Sequence, residues 1–463
     1  MSYAQFIPCL IYGTASFVFQ CGVLIHVLFQ RTTFIRLLLA AAFSAFQPKG
    51  LAQSDFAATN ALSLAAAKRL AFERNWDLLA AKSGMDTATA QLLVAKEFPN
   101  PTFSYSTARI GSYDNSTLVG NGLWSRNYDT IFAVNQLIEI GGKRRDRRTS
   151  AQAGVSGARA RFYDARRLLD QGLTKAYIAA LLAGENARIL NDSARMLHHE
   201  VEIAQARLQA GDISDSDEKQ IENNADVFEL QAKSAEAAAA QARIAVEILL
   251  GEAQPKGNWT PADTLAQMAV APPPLNESKI NAVRPDVLAA QADLSQSKSD
   301  LVLQKAMRIS DPTFSFLVEH NPYGGAFPDD TVGIGVSFPL PLWNWNRGEI
   351  KSAQATVDKN ALAFAKAKAQ TAADIATAQI EFGEASERLA RYQNQILPKS
   401  QKVRESVAFA YEKGGSSLVD LLEAERADND ARLATVQALA DTASAVADLK
   451  AATEVLNLSN ACP

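Results

Sequence analysis

The chain has 463 residues, with 46 basic and 50 acidic side chains, a formal net charge of −4 at pH 7 and four histidines. A mildly acidic chain is a poor partner for nucleic acid. Cys9 and Cys21 lie near the N-terminus and leave only Cys462, so no disulfide can form within the body of the chain.

Residues 1–52 read as an export segment. Arg31 and Arg36 precede the apolar run 37–46, and Gly50-Leu51-Ala52 offers small residues for cleavage before Gln53. Residues 1–30 are also apolar, which fits either an over-long start or a genuine anchor. No cysteine follows a lipoprotein-type cleavage motif, so lipidation is not supported. Beyond residue 46 no apolar run reaches the roughly 18 residues that a membrane-crossing helix needs.

Residues 57–97 read as one helix, which Phe98-Pro99-Asn100-Pro101 ends. The period then changes to two. Phe103, Tyr105 and Thr107 alternate with polar residues, a Gly- and Asn-rich loop covers 111–127, and a second strand, with Phe132 and Val134, runs from Thr130 to Ile140. Gly141-Gly142 leads into a proline-free helix from Lys143 to Ala210, about 100 Å long at 1.5 Å per residue. Leu182, Ile189, Met196 and Ile203 recur every seventh residue, widened by Leu190 and Leu197, and form a coiled-coil-like seam. The helix breaks at Gly211-Asp212-Ile213-Ser214, and a return helix over about 215–250 places Leu230, Ala237 and Ile244 on its seam. Residues 251–274 show no strong pattern and read as a linker.

The programme then repeats. A helix over 276–308 ends at Asp311-Pro312-Thr313-Phe314-Ser315-Phe316, which echoes Asn100-Pro101-Thr102-Phe103-Ser104-Tyr105. A strand from Thr331 to Leu340 puts Val332, Ile334, Val336 and Phe338 on one face and Gly333, Gly335 and Ser337 on the other. A second long helix over 345–413, with a kink or junction at Pro398, reaches Gly414-Gly415-Ser416-Ser417, and a return helix covers 418–456. The units are therefore 1–52 (export), 53–254 (first repeat), 255–275 (linker), 276–456 (second repeat) and 457–463 (tail).

Each repeat holds two strands of about ten residues, enough to cross an outer-membrane-type bilayer when tilted. An isolated hairpin is marginal, and four strands cannot close a barrel, for which about eight is the minimum. Closure takes several chains; two or three both satisfy the physics.

The duplicated order resembles the TolC-type outer-membrane efflux proteins over 57–456. The most specific pieces are Phe98-Pro99-Asn100-Pro101, Ile138-Glu139-Ile140-Gly141-Gly142-Lys143-Arg144, Phe338-Pro339-Leu340-Pro341-Leu342-Trp343-Asn344, and Tyr411-Glu412-Lys413-Gly414 followed by Leu418-Val419-Asp420-Leu421-Leu422-Glu423-Ala424. The Glu-Ile-Gly-Gly-Lys-Arg and Pro-Leu-Pro-Leu-Trp-Asn forms are most similar to the heavy-metal branch, the CzcC-like channels.

The resemblance implies a mainly α fold with a small β part. Three chains would form a twelve-stranded outer-membrane β-barrel continuous with a periplasmic α-helical barrel. It implies contact with outer-membrane lipids, a periplasmic membrane-fusion adaptor and an inner-membrane proton-driven efflux pump. The membrane strands would present Phe103, Tyr105, Phe132, Val134, Phe314, Phe316, Val332, Ile334, Val336 and Phe338. Gly211, Asp212, Ser214, Asp217, Gly414, Gly415 and Ser417 would form the adaptor-docking tips, with Asp215 beside them. Asp420 and Glu423 would constrict the channel as a cation-attracting ring, since residues three apart share a helix face. The plainer reading makes them solvated acids that favour a helix N-terminus.

Other candidates carry less. His198 and His199 are adjacent, hence about 100° apart on a helix, and read as surface residues. The basic run Lys143-Arg144-Arg145-Asp146-Arg147-Arg148 belongs at the junction of barrel and tube. No catalytic arrangement, cofactor motif or metal centre stands out. Three functions follow: an exit duct for metal cations, the same duct for drugs, organic solutes or secreted proteins, or a soluble periplasmic coiled-coil scaffold.

Overall fold

The computed structural model describes residues 61–108, 129–270, 284–320 and 330–453. The export segment, the 111–127 loop and the 457–463 tail lie outside them. The described chain runs β1 (Ala61–Leu62), α1 (Leu64–Arg74), α2 (Trp76–Lys96), β2 (Thr102–Ala108), β3 (Asp129–Leu137), α3 (Lys143–Ala210), α4 (Asp215–Leu249), β4 (Thr260–Pro261) and α5 (Leu265–Met268). It continues with α6 (Pro285–Ala306), β5 (Thr313–His320), β6 (Asp330–Ser337), α7 (Arg347–Arg391), a π-helical turn (Tyr392–Ile396), α8 (Leu397–Glu412) and α9 (Leu418–Thr453).

The fold is mainly helical with one four-stranded sheet. Neighbouring strands in the order β2-β3-β5-β6 are all antiparallel. The helices that feed or leave those strands pack in the same order, α2-α3-α6-α7. Further along, the wall is α4-α3-α9-α8. Each half is therefore one layer, four helices wide.

The helix expected over 57–97 is two helices after a short strand, and this corrects the sequence reading. Asn75 ends α1 with its backbone N–H on the Ala71 carbonyl, while its side chain accepts from the Leu78 amide and caps α2. An asparagine that satisfies the next helix's free amide competes with helix continuation.

α3 spans Lys143–Ala210 as its composition predicts, between Gly142 and Gly211, both left-handed at φ 79° and 83°. Of the expected seam Ile189, Leu190 and Leu197 are packed, while the rest of it is shifted toward the Leu190 side. Leu190, Ala194, Leu197, Val201 and Ala204 are buried with Ile189, whereas Met196 and Ile203 are exposed. On α4 the seam is Ala225, Ala232, Ala239 and Val246, and Leu230 is 68 % exposed. On α9, Asp428, Ala431, Thr435, Ala438, Thr442, Ala445, Leu449 and Ala452 are buried at alternating steps of three and four. Small residues at those knobs let the helices approach closely.

The kink expected at Pro398 is the π turn just ahead of it; Pro398 cannot donate to the preceding turn, so that turn widens. The segment without pattern after Gly251 is structured: β4 pairs in parallel with β1, and Trp259 stacks on Tyr177 at 5.6 Å. Tyr177 is fully buried and its hydroxyl donates to the Leu62 carbonyl at 2.6 Å, which ties this segment to the middle of α3.

Candidate functional site

The sheet brings the apolar strand residues into register. Phe103 faces Val134, Val134 faces Phe316, and Phe316 faces Ile334. Tyr105, Phe132, Val318 and Val332 form the next rung, and Phe314 faces Val336. Cross-strand partners share a face, so one side is apolar through its middle rungs, where Ile334 is 86 % exposed, and polar at its ends, with Gln136 beside Phe314 and the rung Thr107, Thr130, His320 and Asp330. Phe338 lies one residue beyond β6 and is exposed. The opposite face carries Ser104, Ala133, Leu317 and Gly333 in one rung and Thr102, Asn135, Ser315 and Gly335 in the next. β2 and β6 each have an edge with no partner among the described residues.

The Glu139-Ile140-Gly141-Gly142-Lys143 stretch joins strand to helix and one repeat to the other. Lys143 is buried, donates to the Ile309 carbonyl and pairs with Asp311 at 2.8 Å. Asp311 also accepts from the Ile140 amide. Arg147 grips Glu139 through its two terminal guanidinium nitrogens, at 2.6 and 3.0 Å. Arg144 donates to the Lys96 carbonyl and stands over the Phe98 ring. A motif noticed as a signature is thus a set of ties.

At the far end the two turns lie side by side. Leu418 and Leu421 pack with Ile221, Ala225, Val201 and Ala204, with Ile213 and Tyr411 at the margin. Ser214 accepts from the Asp217 amide, and Asp212 donates its amide to the Arg207 carbonyl. Asp212 is exposed and Asp217 half-buried. Gly414 is left-handed at φ 75°, and the Gly415 amide closes the turn onto the Ala410 carbonyl.

Asp420 and Ser417 form a reciprocal cap. The Asp420 amide donates to the Ser417 hydroxyl; the Asp420 carboxylate accepts from the Ser417 amide at 3.1 Å and from the hydroxyls of Ser417 at 2.7 Å and Ser416 at 3.2 Å. Those donors, the Ser417 hydroxyl foremost, hold the carboxyl below the usual carboxylate range. Glu423, a turn later, is exposed. The cap serves the helix whatever else Asp420 does.

The sequence reading missed a polar belt just inside the tips. Asp428 is 2 % exposed, and its Oδ2 lies 3.4 Å from Arg404 Nε and 2.8 Å from Arg432 Nε. Neither approach is aligned as a hydrogen bond. Arg404 also reaches Glu425, whose carboxyl is pushed up by burial more than that arginine pulls it down. Asn429 accepts from Ser193 at 2.9 Å, and Arg426 donates to Asn224. The available signal was Asp428 at a seam position of α9.

His198 reaches Glu229 on α4, while His199 reaches Glu202 on its own helix, so the adjacent rings diverge. Among the described residues no group of three or more His, Cys, Asp or Glu side chains is placed to hold a metal ion, and no helix is long and apolar enough to cross a membrane.

A one-layer helical wall thus continues an open four-stranded sheet that is apolar along the middle of one face. The chain belongs to the outer membrane efflux protein family, whose profile matches residues 68–252 and 277–454. It is 25% identical over 424 residues to the cobalt-zinc-cadmium resistance protein CzcC of Cupriavidus metallidurans, covering 89% of this chain and 97% of that one. Among solved structures it is similar to CusC, described as forming a transmembrane channel, with a TM-score of 0.72 at 16% identity over 88% of this chain and 96% of that one. It is also similar to the CmeC outer membrane channel of Campylobacter jejuni, with a TM-score of 0.69 at 19% identity over 84% and 85%.

Proposed function

We propose that this protein is the outer-membrane exit duct of a tripartite efflux system. It passively conducts heavy-metal cations delivered by a periplasmic membrane-fusion adaptor and an inner-membrane proton-driven pump. The observation that carries the reading is the sheet, apolar through the middle of one face and with two edges that have no partner among the described residues. In lipid each unpaired backbone group costs several kcal/mol, on the order of a lost hydrogen bond in hydrocarbon, so open edges are not tolerated. Joining β2 of one copy to β6 of the next removes both edges, and three copies give a closed barrel of about twelve strands.

The residues from Phe103 to Val336 on the apolar face then meet lipid, and Ser104, Ser315, Gly333 and Gly335 line the lumen. The helical layer closes in the same way into a tube. Its tips, from Gly211 to Asp217 and from Gly414 to Ser417, are the surface offered to the adaptor. Asp420 and Glu423, repeated around a threefold axis, form a ring of carboxylates at the mouth. Hydrogen bonds favour the charged form of Asp420, and a ring of carboxylates at that mouth concentrates cations.

The choice of metal cations as cargo rests on the CzcC relative, which matches nearly end to end. Deleting the gene and titrating Zn, Co, Cd, Ni, Cu and Ag against growth tests it. Lowered tolerance to at least one metal is expected. Unchanged tolerance to all six, with increased sensitivity to organic solutes, transfers the same duct to another cargo.

A further inference from the structure

Between α3 and α6, in the middle of the wall rather than at its edges, lies a cleft of about 1030 Å³. Arg144, Arg145, Arg148 and Arg159 line it together with Tyr163 and Gln291, and no carboxylate does. In a chain with more acid than base, four guanidinium groups around one cleft repel one another unless an anion lies among them.

The arginines are not equally engaged. Arg144 is held by the Lys96 carbonyl and the Phe98 ring, and Arg145 uses one nitrogen on Asp146. Arg148 and Arg159 have no hydrogen bond or ion pair among the described residues. The cleft begins in the first turn of α3, where no side chain caps the free amides and the helix dipole adds positive potential. Arg145 and Arg148 sit within a turn of each other. Arg159 lies about 16 Å further along the axis, at 1.5 Å per residue, on nearly the same face. One phosphate can bridge the first pair, but it cannot also reach the third. Alanines and Leu288 between them supply an apolar floor.

We propose that this cleft binds an elongated anion carrying at least two phosphate groups, one at Arg145 and Arg148 and the other at Arg159. Guanidinium forks suit phosphate oxygens. Two sources share that chemistry: a diphosphate lipid headgroup of the adjoining leaflet, or a soluble polyphosphate. The phosphate chemistry stands without the outer-membrane reading; the lipid source rests on it.

The test uses the full-length protein in detergent, with diphosphatidylglycerol, phosphatidylcholine, tripolyphosphate and inorganic phosphate as separate probes. The readouts are bound stoichiometry and Kd. Arg148→Gln with Arg159→Gln is compared with Arg188→Gln with Arg195→Gln, which removes the same charge from exposed positions further along α3. The inference expects at least one diphosphate probe to bind more tightly than inorganic phosphate and phosphatidylcholine. It expects the cleft variant to weaken that binding roughly tenfold or more, and the control variant to leave it intact. Binding of the lipid alone assigns the membrane source, and binding of tripolyphosphate alone assigns the soluble one. Failure of both probes to bind, or equal binding by the cleft variant, overturns the inference. Conductance of the same preparations in planar bilayers separates the two readings. A protein that conducts and ignores both probes sinks this inference alone, and one that binds without conducting sinks the channel reading alone.

Discussion

Replacing Asp428 by Asn removes a charge and almost no volume from the belt inside the tips. The Asp428 carboxylate is shared by Arg404 and Arg432, whose side chains keep 22% and 29% of their exposure. Breaking a fully buried pair costs about 3–5 kcal/mol, because the partner's charge is left stranded. Here both arginines can turn partly toward water, and Glu425 remains beside Arg404, so the expected cost is lower, about 2 kcal/mol. That corresponds to roughly 30-fold faster opening of the helices it joins. Amide hydrogen exchange over 397–432 in the purified assembly reads this directly, with α3 near Tyr177 as the internal reference. Adding Arg432→Gln removes the charge left without a partner, since Arg404 keeps Glu425, and should recover part of the loss. If exchange in 397–432 stays within about threefold of the parent, less than about 0.7 kcal/mol, the belt does not hold the tip helices together.

Glu425 provides a pH test with a definite sign. Burial raises its folded pKa above the usual carboxylate value, so protonation relieves a cost. Protection of α8 and α9 should rise as pH falls through the folded pKa toward the ordinary one, and Glu425→Gln should abolish that rise. Asp420→Asn with Glu423→Gln should reduce cation selectivity and block by multivalent cations; an unchanged reversal potential under a salt gradient would remove both residues from the constriction. Gly251→Ala should destabilise far more than Gly211→Ala, as thermal unfolding will show. Both glycines have positive φ, costing about 1 kcal/mol for alanine, but a Cβ on Gly251 would lie 2.4 Å from the Arg74 carbonyl oxygen, whereas at Gly211 it meets nothing within 4 Å.

The parts that were legible in the sequence are those with a long period or a hard stop. α3 has no proline between two glycine pivots, and the strands alternate cleanly, so their positions and their apolar face could be read from residue order. The seams were legible only as to period. On α3, Ile189, Leu190 and Leu197 marked the packed side but Met196 did not, on α4 Leu230 faces outward while Ala225, Ala232 and Ala239 pack, and the α9 seam of alanines, threonines and Asp428 carries little hydropathy signal. The break at Asn75 contains neither proline nor glycine, and the Leu62–Pro261 pairing is two residues long, too short for any period to show. At the tips, Gly414-Gly415-Ser416-Ser417 marked where the return helix starts, and the structure adds the reciprocal cap between Ser417 and Asp420. Whether three such carboxylates face one another depends on chains that no single sequence contains.

The central claim is that the open edges of one sheet are closed by neighbouring copies. Single cysteines placed along β2 and β6, in a background with Cys9, Cys21 and Cys462 replaced by serine, can be cross-linked in isolated membranes. The account predicts β2-to-β6 cross-links between chains and a ladder that ends at three. Cross-links confined within single chains, or a ladder running past three, would contradict it.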